Sequence, residues 1–321
     1  MKKTSIGGSA LIEGLMMIGP KNAAIAVRKP DGEIIVESRD LIKRDKLIKI
    51  PVLRGVIMFF RQMILVMKAL IFSAKFFDLE DDGAPVKQSG FGAWVDEKLS
   101  RVAGDKMANF IIIVSVTLSL AMTVGLFILL PNFIAGLIGL VVDKSTQTSF
   151  FNWNVVFMNL FEGVLRLVFF FTYIWLASKM NEIKRVWQYH GAEHKTIHCY
   201  EAGEELTVEN IKKYSTKHPR CGTSFLVIVF IMSFILFSFT GWNGIWINIL
   251  IRIVLIPLVA GLSYEILKFA GRSEGRWAKI LNAPGIAFQN LTTKEPDDDQ
   301  IEVAIAAMKG VIIEDEQDDK W

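Results

Sequence analysis

The chain has 321 residues, 52% of them hydrophobic and 21% charged, with a formal net charge of +3, a pI near 8.7 and a mean hydropathy of +0.38. This apolar content exceeds that of an ordinary soluble domain. The basic balance, carried by loops beside apolar runs, points to anionic lipid head groups and not to nucleic acid. Two cysteines fit thiols or metal thiolates in a reducing compartment and not a disulfide framework.

Residues 1–48 read as a cytoplasmic segment. Gly7-Gly-Ser-Ala-Leu-Ile-Glu-Gly-Leu-Met-Met-Ile-Gly-Pro20 is glycine-rich, yet no Gly-Lys-Ser/Thr follows it, so it is not a P-loop. Glu13 within it is a structural carboxylate or else a ligand or base. Ala23–Arg28 and Glu33–Glu37 are strand-like and flank the turn Lys29-Pro-Asp-Gly32, which predicts a β-hairpin over 23–41. Residues 49–77 are apolar, but Arg54, Arg61, Lys68 and Lys75 recur every seven residues. Such a basic stripe fits a helix lying in the membrane interface, or one packed on a bundle, better than one crossing the bilayer. Residues 78–107 read as a mixed-charge cytoplasmic connector.

Residues 108–178 hold two expected spans. Pro131-Asn132 divides the first apolar run into a span at 109–130 and a short helix or re-entrant piece at 131–142. The second span, Val155–Ala177, carries Glu162 and Arg166 on one helix face. Residues 223–270 hold two more, a shortish one at Ser224–Phe239 and one at Ile245–Ala270 interrupted by Pro257. The latter carries Arg252 and Glu265. These four charges form two structural pairs or line a polar path. Trp242 and Trp246 flank the loop between the last two spans, as interface aromatics do. Residues 271–321 form a C-terminal segment in which Pro296-Asp-Asp-Asp299 starts a helix through Met308, followed by an acidic tail.

The expected architecture is mainly α, a polytopic membrane bundle of about four transmembrane helices with an interfacial amphipathic helix and a small N-terminal β-hairpin region. The loops 143–154 and 240–245 contain one basic residue, Lys144, whereas 179–222 holds eight. That asymmetry places the 179–222 segment and both termini in the cytoplasm of a multi-pass cell-membrane protein. No signal-peptide pattern follows Lys2-Lys3.

All four histidines and both cysteines lie between His190 and Cys221. Residues 179–201 lack proline, so the helix of the second span can continue through them. His190, His194 and His198, four apart, then share an arc of about 140° with Glu193 and Glu201. His190-Gly-Ala-Glu193-His194 matches the H-x-x-E-H pattern, in which two histidines bind a metal and the glutamate serves as general base. Cys221 or His218 can complete the shell after the loop returns, with His198 as a further ligand or an orienting partner. Zinc or another divalent ion suits this donor set. Three ligands plus water would suit catalysis, and four a structural clip. Tyr189, Tyr200 and Tyr214 read as packing residues.

The glycine-rich block 7–20, Tyr189-His-Gly-Ala-Glu-His-Lys-Thr-Ile-His-Cys-Tyr-Glu201, His218-Pro-Arg-Cys-Gly-Thr-Ser224 and Leu291-Thr-Thr-Lys-Glu-Pro-Asp297 together resemble the bacterial YqhQ-like membrane family. The resemblance implies a membrane protein of unknown function described as a metal-dependent enzyme, and brings no substrate and no assigned catalytic residue. Two functional expectations follow. One is a membrane enzyme, hydrolytic, acting on a lipid-linked or membrane substrate at a cytoplasm-facing site in which Glu193 activates water. The other is a non-enzymatic protein that organises lipids or partner proteins, with at most a structural metal. Anionic lipids and a second copy of the chain are the expected partners.

Overall fold

The computed structural model describes residues 4–41, 50–76, 114, 117–119, 121–139, 153–240, 245–272 and 275–312. The connector 78–107 and the acidic tail therefore lie outside the described residues, as does Trp242. The chain divides into two compact units, one drawn from Met1–Leu79, Phe171–Thr240 and Ile251–Trp321, the other from Glu80–Phe170 and Gly241–Leu250.

In the first unit the N-terminal region is a four-stranded antiparallel meander, with β1 (Gly7–Leu11), β2 (Gly14–Ile18), β3 (Asn22–Arg28) and β4 (Ile34–Asp40) in chain order. The hairpin expected over 23–41 is β3–β4, closed by Lys29–Gly32, with Gly32 at φ 88°. The glycine-rich block, read for unusual backbone shapes, is instead two further extended strands. Its left-handed residue is Glu13, at φ 46°. Arg185 grips that carboxylate from two sides, the Tyr189 hydroxyl donates to it at 3.3 Å, and the Arg28 amide donates to the Glu13 carbonyl at 2.9 Å. Of the two roles open to Glu13, the structural one is what these contacts describe.

Strand alternation sorts the sheet's side chains onto two faces. Leu15, Met17, Ala24 and Ala26 meet α4 (Asn181–Ala202) and α9 (Asp298–Lys309) through Tyr189, Ala192, Ile197, Val303, Ala304, Ala307 and Met308. Leu11, Met16, Ala23, Ile25 and Val27 meet α1 (Leu53–Ala74) through Ala69, Leu65, Val66 and Leu70. Both faces are covered, which is why β2 and β3 read as continuous apolar runs and not as alternating ones. Helix α9 starts where expected, with the Gln300 side chain accepting from the Asp297 amide at 3.0 Å.

Further helices are α2 (Leu130–Gly139), α3 (Trp153–Ala177), the single-turn α5 (Val208–Lys212), α6 (Thr223–Ser238), α7 (Ile245–Arg272) and α8 (Arg276–Thr292). Among the described residues four helices are long and apolar enough to cross a membrane: Leu53–Ala74, Thr117–Ile138, Val156–Ala177 and Trp246–Gly271. The number matches expectation; the membership does not, since Leu53–Ala74, expected to lie in the interface, is among them and α6 is not. Helix α6, expected as the third span, has 16 residues. It rises about 24 Å, short of a hydrocarbon core of about 30 Å.

Pro131 does not break its helix. A π-helical turn, Gly125–Leu129, immediately precedes it, and the Leu130 amide reaches back to the Gly125 carbonyl. The wider turn accommodates a ring that would otherwise strike the carbonyl four residues back. In the same unit Arg166 donates to Glu162 at 2.5 Å, and the Asn132 amide lies 3.5 Å from that carboxylate. The second expected pair does not form. Glu265 is instead held by Arg54 of α1, with Nε at 2.6 Å, while Arg252 lies 5.4 Å from the Phe237 ring centre. Arg54 is thereby removed from the basic stripe read along α1.

Leu15 is fully buried between the sheet and α9, and Ile12 is exposed. Leu15→Ala should lower stability by about 2–5 kcal/mol and Ile12→Ala by less than about 0.5 kcal/mol. Thermal unfolding of the purified protein in detergent reads the difference.

Candidate metal centre

Helix α4 carries the chemistry. Residues Tyr189 to Ile197 are all buried, so its polar side chains must find partners inside the protein. Their spacing puts His190 and His194 on one face, and the loop 213–222 brings Cys221 back to it. The metal-ligating atoms of His190, His194 and Cys221 all lie within 4.8 Å of one another. The two imidazoles sit edge to face, with centres 4.5 Å apart.

Backbone carbonyls orient both rings. His190 Nδ1 lies 2.8 Å from the Thr292 carbonyl, and His194 Nδ1 lies 2.5 Å from that of Thr216. A carbonyl can only accept, so each Nδ1 carries the proton and each Nε2 presents a lone pair. His190 Nε2 stands 3.2 Å from Cys221 Sγ. His194 Nε2 is buried with no hydrogen-bond partner. One thiol proton cannot serve two lone pairs. A soft divalent cation would satisfy both nitrogens and the sulfur together, and carbonyl-anchored histidines are the usual outer support of such a site. The donor set therefore fits a metal ion.

Local charge agrees. Burial holds His194 below its usual pKa, so the ring is neutral, the ligating form. Burial opposes a Cys221 thiolate, while the Thr223 hydroxyl and amide favour it. The Thr223 groups donate to Sγ at 3.3 and 3.5 Å from the first residue of α6, where the helix dipole favours negative charge. Glu193 is buried and its carboxyl is pushed up to about 7, chiefly by burial, against the nearby His190 and a Gly8 amide. Gly8 is there for space. A Cβ at that position would lie 2.9 Å from the Glu193 carboxyl carbon.

The other predicted ligands are drawn into a second group. His198, Glu201 and His218 also have ligating atoms within 4.8 Å of one another. Their engagements differ from those of the first group. The His218 Nδ1 accepts from the Arg220 amide at 3.3 Å, which leaves the proton on Nε2, where a metal would have to bind. Glu201 is already neutralised by the Arg220 guanidinium and accepts from the Thr4 amide at 2.9 Å. Burial raises the Glu201 carboxyl, but these donors and His218 overcome it and hold it near 2. His198 Nε2 meets the Lys217 carbonyl at 2.9 Å. Arginine thus occupies the place a second cation would take.

Three supports had no assigned role in the sequence reading. Thr292 contributes through its carbonyl, as does Thr216, and backbone groups leave no side-chain signature. Gln289 exchanges two hydrogen bonds with the backbone of His218, at 2.8 and 2.9 Å. The block 291–297 carried the family resemblance but no chemistry. It is the strap that carries the Thr292 carbonyl, and it passes so close to α4 that a Cβ at Gly191 would lie 2.0 Å from the Lys294 oxygen. That contact was the available signal, a glycine between two histidines on a helix.

Fold and site together define a multi-helix protein of membrane character with a His/Cys grouping that could hold a metal ion. The chain belongs to the family described as "Protein of unknown function (DUF1385)", whose model matches residues 50–314. It is similar to the uncharacterized protein YqhQ of Bacillus subtilis (strain 168), with 32% identity over 310 residues that cover 95% of this chain and 92% of that protein. No solved structure matches it. The family expected from the four sequence blocks is the one found.

Gly191→Ala should force the strap away from α4 and lower stability by more than about 2 kcal/mol, since backbone and not a flexible side chain must yield. Gly222→Ala, with open space at its Cβ, should fall within about 0.5 kcal/mol of wild type in the same unfolding assay.

Proposed function

We propose that this protein is a metal-dependent membrane enzyme, hydrolytic in type, with His190, His194 and Cys221 as the ligand set and Glu193 as the proton-transfer group. The observation that carries the reading is the pair of carbonyl-anchored imidazoles whose Nε2 lone pairs converge on one thiol, one of them otherwise unpartnered. A divalent ion bound there would supply Lewis acidity, which makes water a better nucleophile near neutral pH.

The chain's own residues supply the rest. His190 and His194 hold the ion through nitrogens whose orientation the Thr292 and Thr216 carbonyls set. Cys221 adds a negative sulfur and reduces the net positive charge at the site. Glu193, three residues from His190 on the same helix, accepts a proton from water and later returns it to the leaving group. A carboxyl near 7 can do both at neutral pH, because neither of its forms is strongly favoured. The apolar helices flanking the site in the chain favour a lipid-linked or membrane-embedded substrate, and the Lys/Arg asymmetry of the loops favours a cytoplasmic face.

Burial favours a second reading. His194 and Cys221 are nearly inaccessible, as a metal clip that only ties α4 to the start of α6 would require. The two readings differ at Glu193, which a clip does not need.

Elemental mass spectrometry of the detergent-purified protein, prepared without chelators, should find about one zinc-class ion per chain. His190→Ala and Cys221→Ser should lose it, while Glu193→Gln and His198→Ala keep it. After cobalt substitution, a sulfur-to-metal charge-transfer band should appear in Glu193→Gln and vanish in Cys221→Ser. Metal-free wild type, or two ions per chain, would contradict the assignment. If cells that depend on the protein are fully supported by Glu193→Gln, the clip reading replaces the enzyme reading.

A further inference from the structure

Helix α1 is long and apolar enough to cross a membrane, but its packing leaves too little of it free. Leu65, Val66, Ala69, Leu70 and Phe72 lie against the β-sheet. The outer strand of that sheet, β4, ends in Glu37-Ser38-Arg39-Asp40 and is half exposed, which suits water and not acyl chains. With the last three turns docked there, about twelve residues remain ahead of them, roughly 18 Å of helix, too short for a hydrocarbon core of about 30 Å.

The opposite face is apolar as well. Phe60, Met63, Ile64, Met67 and Ile71 are between 41 and 52% exposed and fall within an arc of about 100°. The sheet-facing residues are centred about 180° away from them on the same geometry. Arg61 and Lys68 run along one boundary between the two faces. At its N-terminal end α1 crosses α7, itself long and apolar enough to span, so closely that a Cβ at Gly55 would lie 2.8 Å from the Gly261 carbonyl. Arg54 clasps Glu265 beside that crossing. The helix is therefore anchored at one end to a candidate span and along its far side to a sheet with polar edges. Its bare apolar stripe is bordered by positive charge, the complement of anionic phosphates above acyl chains.

We propose that α1 is an in-plane membrane-surface helix: Phe60, Met63, Ile64, Met67 and Ile71 enter the boundary between head groups and acyl chains of an anionic bilayer, and Arg61 and Lys68 meet its phosphates. The sheet and α4 are then carried on the membrane surface by a helix that never crosses it. This placement does not depend on the metal reading.

The test uses full-length protein with a nitroxide-bearing unnatural residue at position 60, 64, 67 or 71, so that both native cysteines stay in place. It is reconstituted in vesicles of phosphatidylcholine alone or with one quarter phosphatidylglycerol. Collision with oxygen and with a water-soluble nickel chelate gives the depth of each label. The expected result is four shallow depths agreeing within about one helical turn. The double variant Arg61→Gln/Lys68→Gln should make all four labels shallower in the anionic vesicles and leave them unchanged in phosphatidylcholine. Depths that progress by about 16 Å from position 60 to 71 would make α1 a span and overturn the proposal. Labels shielded from both reagents, as at a protein contact, or freely struck by the chelate would overturn it too. An unchanged depth in the double variant would remove the anionic head groups from it.

Discussion

A helix whose imidazole, carboxylate and ammonium side chains are buried together is costly, and the rest of the first unit is arranged around that cost. His190, Glu193, His194, Lys195 and Thr196 succeed one another in the interior of α4, and burial without partners would cost several kcal/mol for the charged members. The partners come from four separate places in the sequence. The strap after α8 gives the Thr292 carbonyl to His190. The loop after α5 gives the Thr216 carbonyl to His194, and the end of α5 gives the Lys212 carbonyl to Lys195. Strand β1 leaves the space beside Glu193 that a side chain at Gly8 would fill. On this helix Trp187 Nε1, His194 Nε2 and Thr196 Oγ1 are buried without a hydrogen-bond partner. What sets His194 Nε2 apart is its place within 4.8 Å of the ligating atoms of a second imidazole and a thiol, a grouping that could hold a metal ion.

The same arrangement fixes what the sheet is for. It is packed on both sides: α4 and α9 press on one face and α1 on the other. Its small residues, Ala24 and Ala26, let α9 come close, and its apolar content follows from being covered twice. Cys221 enters the site from the residue pair just ahead of α6, so the sulfur sits at a helix N-terminus that favours its negative form. The geometry thus couples this His/Cys grouping to the start of an apolar helix. A change in how that helix is held would reach the sulfur directly.

Much of this was legible because some signals are local. The turn at Lys29–Gly32 marks its hairpin, the acidic run at 296–299 marks the start of α9, and the four-residue spacing of the histidines marks a shared helix face. Other features depend on partners far away in the chain. Nothing near Glu265 says that Arg54, 211 residues earlier, will hold it in preference to Arg252. Strands β1 and β2 carry no alternation, the pattern that reveals a strand with one wet face: β1 is mostly small residues and β2 is buried along nearly all its length. The π turn ahead of Pro131 is a backbone adjustment that no side chain announces. The histidines were read as one shell because periodicity alone cannot assign protons. The split appears only when the partner of each Nδ1 is known: a carbonyl for His190 and His194, an amide N–H for His218.

The most direct test of the proposed centre is X-ray absorption at the zinc edge on wild-type protein loaded with one equivalent of zinc in lipid nanodiscs. The account predicts a first shell with one sulfur at about 2.3 Å and nitrogen or oxygen neighbours at about 2.0–2.1 Å, including the multiple scattering of two imidazoles. A shell without sulfur, or one with three or four imidazoles that brings in His198 and His218, would contradict it.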